Sequence, residues 1–473
     1  MSEAGQSGLV VMKFGGTSMG SADRIQVAAS LCAGEKRKRP VVAVVSAMSK
    51  ITDLLLNTLK HAEGGDREGM EANIATLAKR HYDACEELLP ESTRPVVRTG
   101  IDELVGDFRR IANGVLMLGE RPVRSVDEAV AIGERLSALL MASFLQSQNV
   151  PAMAVNAREV IVTDAVFGNA TPLMGPTRER AAAVLQPQLD KGILPVVTGF
   201  NGATADGRAT TLGRGGSDFS ASILAASLDA AELWIWSDVD GILSADPRLV
   251  PNARVLDLVT YAEAAELAYN GAKVLHPRTL APLVTRQIPV WSKNSFAPEK
   301  PGTKIVPSIP NPTGPRAVTS MANVALVSLE PSSPELAGTK LMGRAFEALS
   351  ASGAEVLALT SSSYRQSFCF LIRKDELASA LQALESALSL ELAHGYVKPI
   401  EVDTEVGLLA IVGEGMRGVT GMAGRIFTAV SREGVNVIAI AQGSSELTIA
   451  VVVRREGLEK AVRAVHEECG MGN

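Results

Sequence analysis

The stretch Leu9–Ser18, LVVMKFGGTS, decides how the chain is read: a run of strand-forming residues stops abruptly at two glycines and two hydroxyls. Apart from Lys13, Leu9–Phe14 is apolar throughout rather than alternating, as expected of a strand buried on both faces of a parallel sheet. Val41–Ser46 (VVAVVS), Leu194–Thr198 (LPVVT) and Leu233–Ser237 (LWIWS) have the same form. Helical patterns separate them, including Ala22–Ala33, Glu128–Gln146 and Ala221–Leu228. The alternation predicts an α/β fold over residues 1–300, a three-layer sandwich around a mainly parallel sheet.

Six prolines between Pro298 and Pro315 remove backbone donors and mark a boundary near residue 300. Beyond it the chain repeats itself. Gly343-Arg344-Ala345-Phe346 recurs as Gly424-Arg425-Ile426-Phe427, an offset of 81 (424 − 343), and Ser363 meets Ser444 at the same offset. Each copy reads as a small ferredoxin-like βαββαβ unit, and neighbouring copies are expected to pack together. The expected division is 1–300, a linker with a shared first strand over 301–323, then repeats at 324–398 and 399–473.

The 473 residues carry a net charge of −6 and are 46% hydrophobic, which suits a globular protein of several domains. Neither a basic cluster nor an acidic tail points to a nucleic-acid or membrane partner. The short run Lys36–Arg39 (KRKR) reads as the solvated end of the first helix. The four cysteines have no metal-ligand spacing, and the polar start lacks a secretory pattern, so a reduced cytoplasmic setting is expected.

Each apolar strand runs into small, polar or charged residues, and in an open α/β sheet such loops converge on one rim. Gly15 and Gly16 allow close approach of a phosphate, with a helix start near Ser21 behind them. Lys13 beside a buried strand end needs an anionic partner. A second Gly-rich loop, Gly213-Arg214-Gly215-Gly216-Ser217-Asp218, precedes a small-residue helix and offers amides, a hydroxyl and a guanidinium. Asp218 reads equally as a first-turn carboxylate or as the holder of Lys13. Glu134 shares an apolar helix face with Val130, Ala138, Met141 and Leu145, in a helix that Ser125 and Glu128 would open as a capping box. A carboxylate there calls for a cation, either an arginine or the ammonium group of a substrate. The segment Trp236–Arg248 reads as a strand end followed by two acidic turns, with Arg248 and Lys273 as candidate phosphate ligands or surface cations.

Four segments together, VMKFGGTS at Val11–Ser18, TLGRGGSD at Thr211–Asp218, SDVDGILSADPR at Ser237–Arg248 and GAKVLHPR at Gly271–Arg278, resemble the aspartokinase motifs in family order. The C-terminal repeats look like paired ACT domains. The resemblance covers nearly the whole chain and implies an amino acid kinase fold. The implied activity is ATP-dependent phosphorylation of L-aspartate, the first step toward lysine, threonine and methionine, in a form without a homoserine dehydrogenase domain. It implies Lys13 and Asp218 as catalytic residues, and Ser46, Thr52, Glu134, Phe200, Arg214 and Ser217 around aspartate. Lys13, Gly15, Gly16, Ser237, Asp238, Leu243, Arg248 and Lys273 fall to the nucleotide, which Mg²⁺ accompanies. Leu243 stands where many relatives carry a tyrosine near the adenine. The implied partners also include a homodimer or tetramer through the ACT domains and an amino-acid effector, threonine or lysine, near Met416, Gly418, Gly421 and Gln442. In the first repeat, Glu330–Glu335 and Ser361 depart from the effector-site pattern. Two competing readings are a kinase for another amino acid carboxylate and a non-catalytic effector-binding subunit.

Overall fold

The computed structural model describes residues 8–272, 275–332, 338–362 and 366–472. Its first strands are β1 (Val10–Phe14), β2 (Val41–Val45), β3 (Ala152–Val155), β4 (Val162–Thr163), β5 (Leu194–Thr198), β6 (Asn201–Thr204), β7 (Ala209–Thr211), β8 (Glu232–Ser237), β9 (Leu258–Thr260), β10 (Val290–Asn294) and β11 (Thr303–Val306). The accompanying helices are α1 (Ala22–Lys36), α2 (Ile51–Glu63), α3 (Arg67–Leu88), α4 (Arg94–Leu118), α5 (Val123–Ser147), α6 (Met174–Asp190), α7 (Gly216–Ser227), α8 (Tyr261–Tyr269) and α9 (Pro277–Val284). The contacts divide the chain into two compact units, the first made of residues 1–242, 257–261 and 275–307.

In the first unit the sheet order is β3-β5-β2-β1-β8-β10-β11-β9. Every neighbouring pair is parallel except β10 with β11. All residues of β1, β2 and β5 are buried, as their unbroken apolar runs require. From β1 the chain moves first to β2 on one side and later to β8 on the other. The carboxyl ends of these strands therefore flank a crevice at a topological switch.

Helix ends differ from expectation in two places. At α5, Val123 follows an N-cap at Pro122, so Ser125 lies inside the helix and Glu128 pairs instead with Arg158 at 3.0 Å. Proline at the cap position already sets the turn, and no capping box forms. At the end of α1, Arg39 is not solvated. Its guanidinium is buried, donating to Glu35 at 2.7 Å and to Glu232 at 3.0 Å. Glu232 also accepts from the indoles of Trp234 and Trp291. Burial pushes its carboxyl up, but the donors from Arg39, Trp234 and Trp291 outweigh that and hold it below the ordinary range.

The second unit holds residues 243–256, 262–274 and 308–473. Its elements are β12 (Ala317–Met321), β13 (Val324–Leu329), α10 (Gly338–Ser352), β14 (Ala358–Ser361), β15 (Phe368–Arg373), α11 (Leu377–Ala387), α12 (Ser389–Ala393), β16 (Glu401–Asp403), β17 (Val406–Val412), α13 (Met422–Arg432), β18 (Val437–Gln442), β19 (Thr448–Arg454) and α14 (Leu458–Glu468). They form two antiparallel four-stranded sheets, β14-β15-β13-β16 and β12-β17-β19-β18. The 81-residue offset carries α11 onto α14 residue for residue. The repeats are nested rather than consecutive, because β12, which precedes the first repeat, supplies the fourth strand of the second sheet by pairing with β17. Leu326 and Leu371 of one sheet pack with Leu408 and Val452 of the other in a shared apolar cluster. Among the described residues no helix is long and apolar enough to cross a membrane.

Removing the Arg39 side chain takes the guanidinium from two buried carboxylates, leaving Glu35 with Lys38 and Glu232 with its indole donors and Lys304. Arg39→Ala is expected to lower unfolding free energy by roughly 3 kcal/mol in urea denaturation. A loss below about 1 kcal/mol would mean that Glu35 and Glu232 are satisfied without it.

Candidate active site

The crevice is a cleft of about 640 Å³ whose lining belongs entirely to the first unit. Lys13 reaches it from the last turn of β1, where the strand's burial leaves the lysine 7% exposed. Its ammonium meets Asp218, in the first turn of α7, at 2.5 Å, an ion contact rather than an aligned hydrogen bond. The Gly-rich loop is held against β8 and β10: Gly15 N–H donates to Trp236 O at 3.2 Å, and the Ser18 and Ser295 hydroxyls meet at 2.8 Å. Arg24 donates to the Ser295 carbonyl at 2.6 Å, which fixes the start of α1 beside that loop.

The loop after β5 meets the start of α7 at close quarters. Phe200 has φ +72°, a conformation unusual for an aromatic residue, and its N–H donates to the Ser220 hydroxyl at 2.9 Å. A Cβ on Gly216 would lie 2.6 Å from the Phe200 ring, so the approach requires glycine. Helix α7 thus begins at Gly216, earlier than the sequence pattern suggests, and Ser217 and Asp218 fall in its first turn. Arg214 is exposed at the rim between Gly213 and Gly215, both at positive φ.

Glu134 enters from α5. Gly133 lets that helix press on the loop after β2, since a Cβ there would stand 2.8 Å from the Ala47 side chain. One carboxylate oxygen of Glu134 accepts from Ala47 N–H at 3.2 Å; the other has no partner among the described residues. The side chain is 3% exposed, and among the described residues no arginine or lysine pairs with it. Burial pushes its carboxyl up to about 7, and the Ala47 amide offsets only part of that.

The cleft therefore brings together Lys13, Gly16, Ser46, Thr52, Glu134, Phe200, Arg214, Ser217 and Asp218. Gly15 adjoins it through the ion pair, a Cβ there lying 3.3 Å from the Lys13 ammonium. Ser237 ends β8, next to β1, and Asp238 follows it, but neither lines the cleft. In the following turn Asp240 is committed to Asn294 and Lys300, at 2.6 and 2.7 Å. Leu243 and Arg248 belong to the second unit, where the Arg248 guanidinium forks onto Asp246 at 2.6 Å. Lys273 lies outside the described residues.

Sequence reasoning did not single out Lys50 and Asp53, which also line the cleft, or Asp127. Asp127 is 1% exposed and accepts from Gly168 N–H and from the Thr211 amide and hydroxyl, which anchors the strand leading into the second Gly-rich loop. Its position on the same helix as Glu134, buried yet acidic, was the available signal.

The Glu134 shift has a definite sign. The folded protein retains a proton that the unfolded chain loses near 4.5, so stability falls as pH rises from about 4.5 to about 7, then levels off. Glu134→Gln should remove that loss and gain on the parent by about 3 kcal/mol across the window in ligand-free denaturation curves. Parallel curves for the two proteins would place the Glu134 titration at its ordinary range.

The amino acid kinase family profile matches residues 8–294, and an ACT domain profile matches residues 409–469. Lysine-sensitive aspartokinase 3 of Escherichia coli is 32% identical over 465 residues, covering 97% of this chain and 99% of that protein. The chloroplastic bifunctional aspartokinase/homoserine dehydrogenase 1 of Arabidopsis thaliana is 33% identical over 463 residues, 96% of this chain but 50% of that protein. The chain spans about half the length of the bifunctional relatives it matches. Among solved structures, E. coli aspartokinase III in complex with aspartate and ADP has a TM-score of 0.83 at 31% identity, covering 97% of this chain and 99% of that one. The same enzyme in complex with lysine and aspartate gives 0.79 at 31% identity, over 98% and 99%. Likeness of this extent reaches from the first strand to the last helix, and the chain belongs to the amino acid kinase family, among the aspartokinases.

Proposed function

We propose that the chain transfers the γ-phosphoryl group of ATP to the β-carboxylate of L-aspartate, giving 4-phospho-L-aspartate and ADP. The observation that carries this reading is the buried Glu134 carboxylate in the cleft, one oxygen of which has no partner among the described residues. An α-ammonium group supplies the cation that no side chain among the described residues provides, and the aspartate and ADP bound by the E. coli enzyme support the same assignment. Arg214 at the rim takes a carboxylate, with Ser46, Thr52, Phe200 and Ser217 shaping the pocket.

A β-carboxylate is already ionised at neutral pH, so no general base is required. Its oxygen attacks the γ-phosphorus while the bond from that phosphorus to the β-phosphate oxygen breaks, and ADP leaves with the electron pair. Lys13, steered by Asp218, neutralises charge on the transferring group, and the amides around Gly15 and Gly16 approach its oxygens. Ser237, Asp238, Leu243, Arg248 and Lys273 are assigned to the nucleotide. Among the described residues no three acidic, histidine or cysteine side chains gather as a metal cage. Mg²⁺ would accompany the nucleotide, held in large part by its phosphates. When bound, the ion lowers the negative charge of the β- and γ-phosphates.

Residues 324–398 and 399–473 are assigned as the cores of the two ACT domains, with β16 completing the first sheet and β12 the second, and through them the chain associates as a dimer or tetramer. An effector site near Met416, Gly418, Gly421 and Gln442 is less open than the glycine pattern suggests, because Gly418 N–H donates to Glu446 at 2.7 Å. The Pro-rich loop at Glu330–Glu335 lies partly outside the described residues.

The test is a coupled ADP-release assay with and without L-aspartate, run beside a panel of glutamate and N-acetylglutamate. Lys13→Ala should abolish turnover with the fold intact by circular dichroism. Glu134→Gln should raise the KM for aspartate roughly 10- to 150-fold, the worth of a charge-assisted bond. An unchanged KM with reduced stability would assign Glu134 to structure, and preference for another carboxylate would redirect the substrate.

Control is tested by titrating threonine and lysine, separately and together, at sub-saturating aspartate. Weak or absent inhibition by threonine is expected, given Ser361 and the Glu446 contact. Strong inhibition by either amino acid alone would show that these departures do not block an effector.

A further inference from the structure

A second cavity, of about 570 Å³, opens among α6, α7 and α9 in the first unit, and it shares no lining residue with the cleft. Its walls are apolar, built from Pro172, Phe219, Ala226 and Pro282, with Met174 at 37% exposure among them. Pockets of a few hundred Å³ with apolar walls and a few convergent polar groups are the usual form of small-molecule sites. Two polar features mark this cavity.

The first is Ser227, at the end of α7. It lines the cavity and is 5% exposed, yet its hydroxyl finds no hydrogen-bond partner among the described residues. Leaving a buried hydroxyl unpaired costs about 1–3 kcal/mol, so the wall of the cavity carries an unmet polar group at the end of α7. The second is charge. Arg178, Arg278 and Arg286 all line the cavity. Asp229 serves two of them, pairing with Arg178 and lying 3.3 Å from Arg286. Arg278 donates to the Asn169 side chain at 2.5 Å, rests over the Phe219 ring at 5.1 Å, and has Asp164 within electrostatic reach. Three guanidinium groups against two carboxylates leave an excess of one positive charge beside an apolar pocket.

We propose that this cavity binds a small monoanionic amphipath: one carboxylate on a compact apolar body, the carboxylate facing the arginines and the body against Phe219 and Pro282. The aspartate proposed for the cleft is a poor match, since it has no apolar body and bears a second carboxylate and an ammonium group.

The test uses 3-phenylpropionate as probe with the full chain, followed by saturation-transfer NMR and calorimetry. Binding with Kd at or below about 1 mM is expected, with 3-phenylpropan-1-ol at least roughly tenfold weaker because it lacks the charge. Saturating L-aspartate should leave the probe's Kd unchanged, which separates this site from Lys13 and Arg214 in the cleft. Ala281→Trp, at an exposed helix position on the lining, should block the cavity and abolish binding. Arg286→Gln removes the excess charge without filling space and should weaken binding roughly tenfold. The proposal is overturned by absence of binding up to about 10 mM, by equal affinity for the alcohol, by displacement with aspartate, or by undiminished binding in both variants. A change in sedimenting mass on Ala281→Trp would also overturn it, since the face would then be covered by a second copy of the chain.

Discussion

A lysine near the end of a strand that is buried on both faces has few ways to keep its charge. In β1 the solution is Asp218, and that pairing ties the end of the central strand to the first turn of α7. Much else follows from the tie. Helix α7 must begin at Gly216 for Asp218 to reach Lys13, and the Phe200 ring then lies against the glycine. Phe200 accordingly takes a left-handed backbone, secured by the Ser220 hydroxyl. Strain of this kind persists only where the surroundings over-determine it, and here two loops and a helix start do so.

The opposite wall works by leaving something unfinished. Glu134 is buried as deeply as a core residue, and one of its oxygens meets the Ala47 amide while the other has no partner among the described residues. In a folded domain an uncompensated carboxylate costs more than a well-packed apolar side chain would. The cleft thus contrasts a settled charge pair at Lys13 and Asp218 with an unsettled carboxylate at Glu134. In the proposed reaction the first stays fixed while the second waits for substrate.

Much of this was legible in the sequence because the parallel strands are apolar without alternation: β5 matches the predicted run, and β1, β2 and β8 differ by one residue at an end. The helix ends were harder. At α5 a proline cap displaced the expected Ser125–Glu128 box, and at α7 the glycines that look like loop residues belong to the helix start. Arg39 was misjudged because a basic run looks the same whether its last member faces water or a buried carboxylate 193 positions away. Asp127 escaped for a related reason: two of its three donors are backbone amides, which leave no trace in residue type, and the third is a threonine hydroxyl 84 positions away. The 81-residue repeat was visible, but its nesting was not, because β12 carries no mark of which later strand it joins.

That nesting orders events during synthesis. Strand β12 leaves the ribosome about 85 residues before β17, its partner, and must wait as an apolar edge with nothing to pair with. If the intervening chain stayed open, joining the two would mean closing a long loop. Instead β16, just past the first repeat, returns to lie beside β13 at its start, so folding of that sheet draws β12 and β17 toward each other. The inner repeat serves as a clasp for the outer one, and the sheet made last is closed by a strand that was made first.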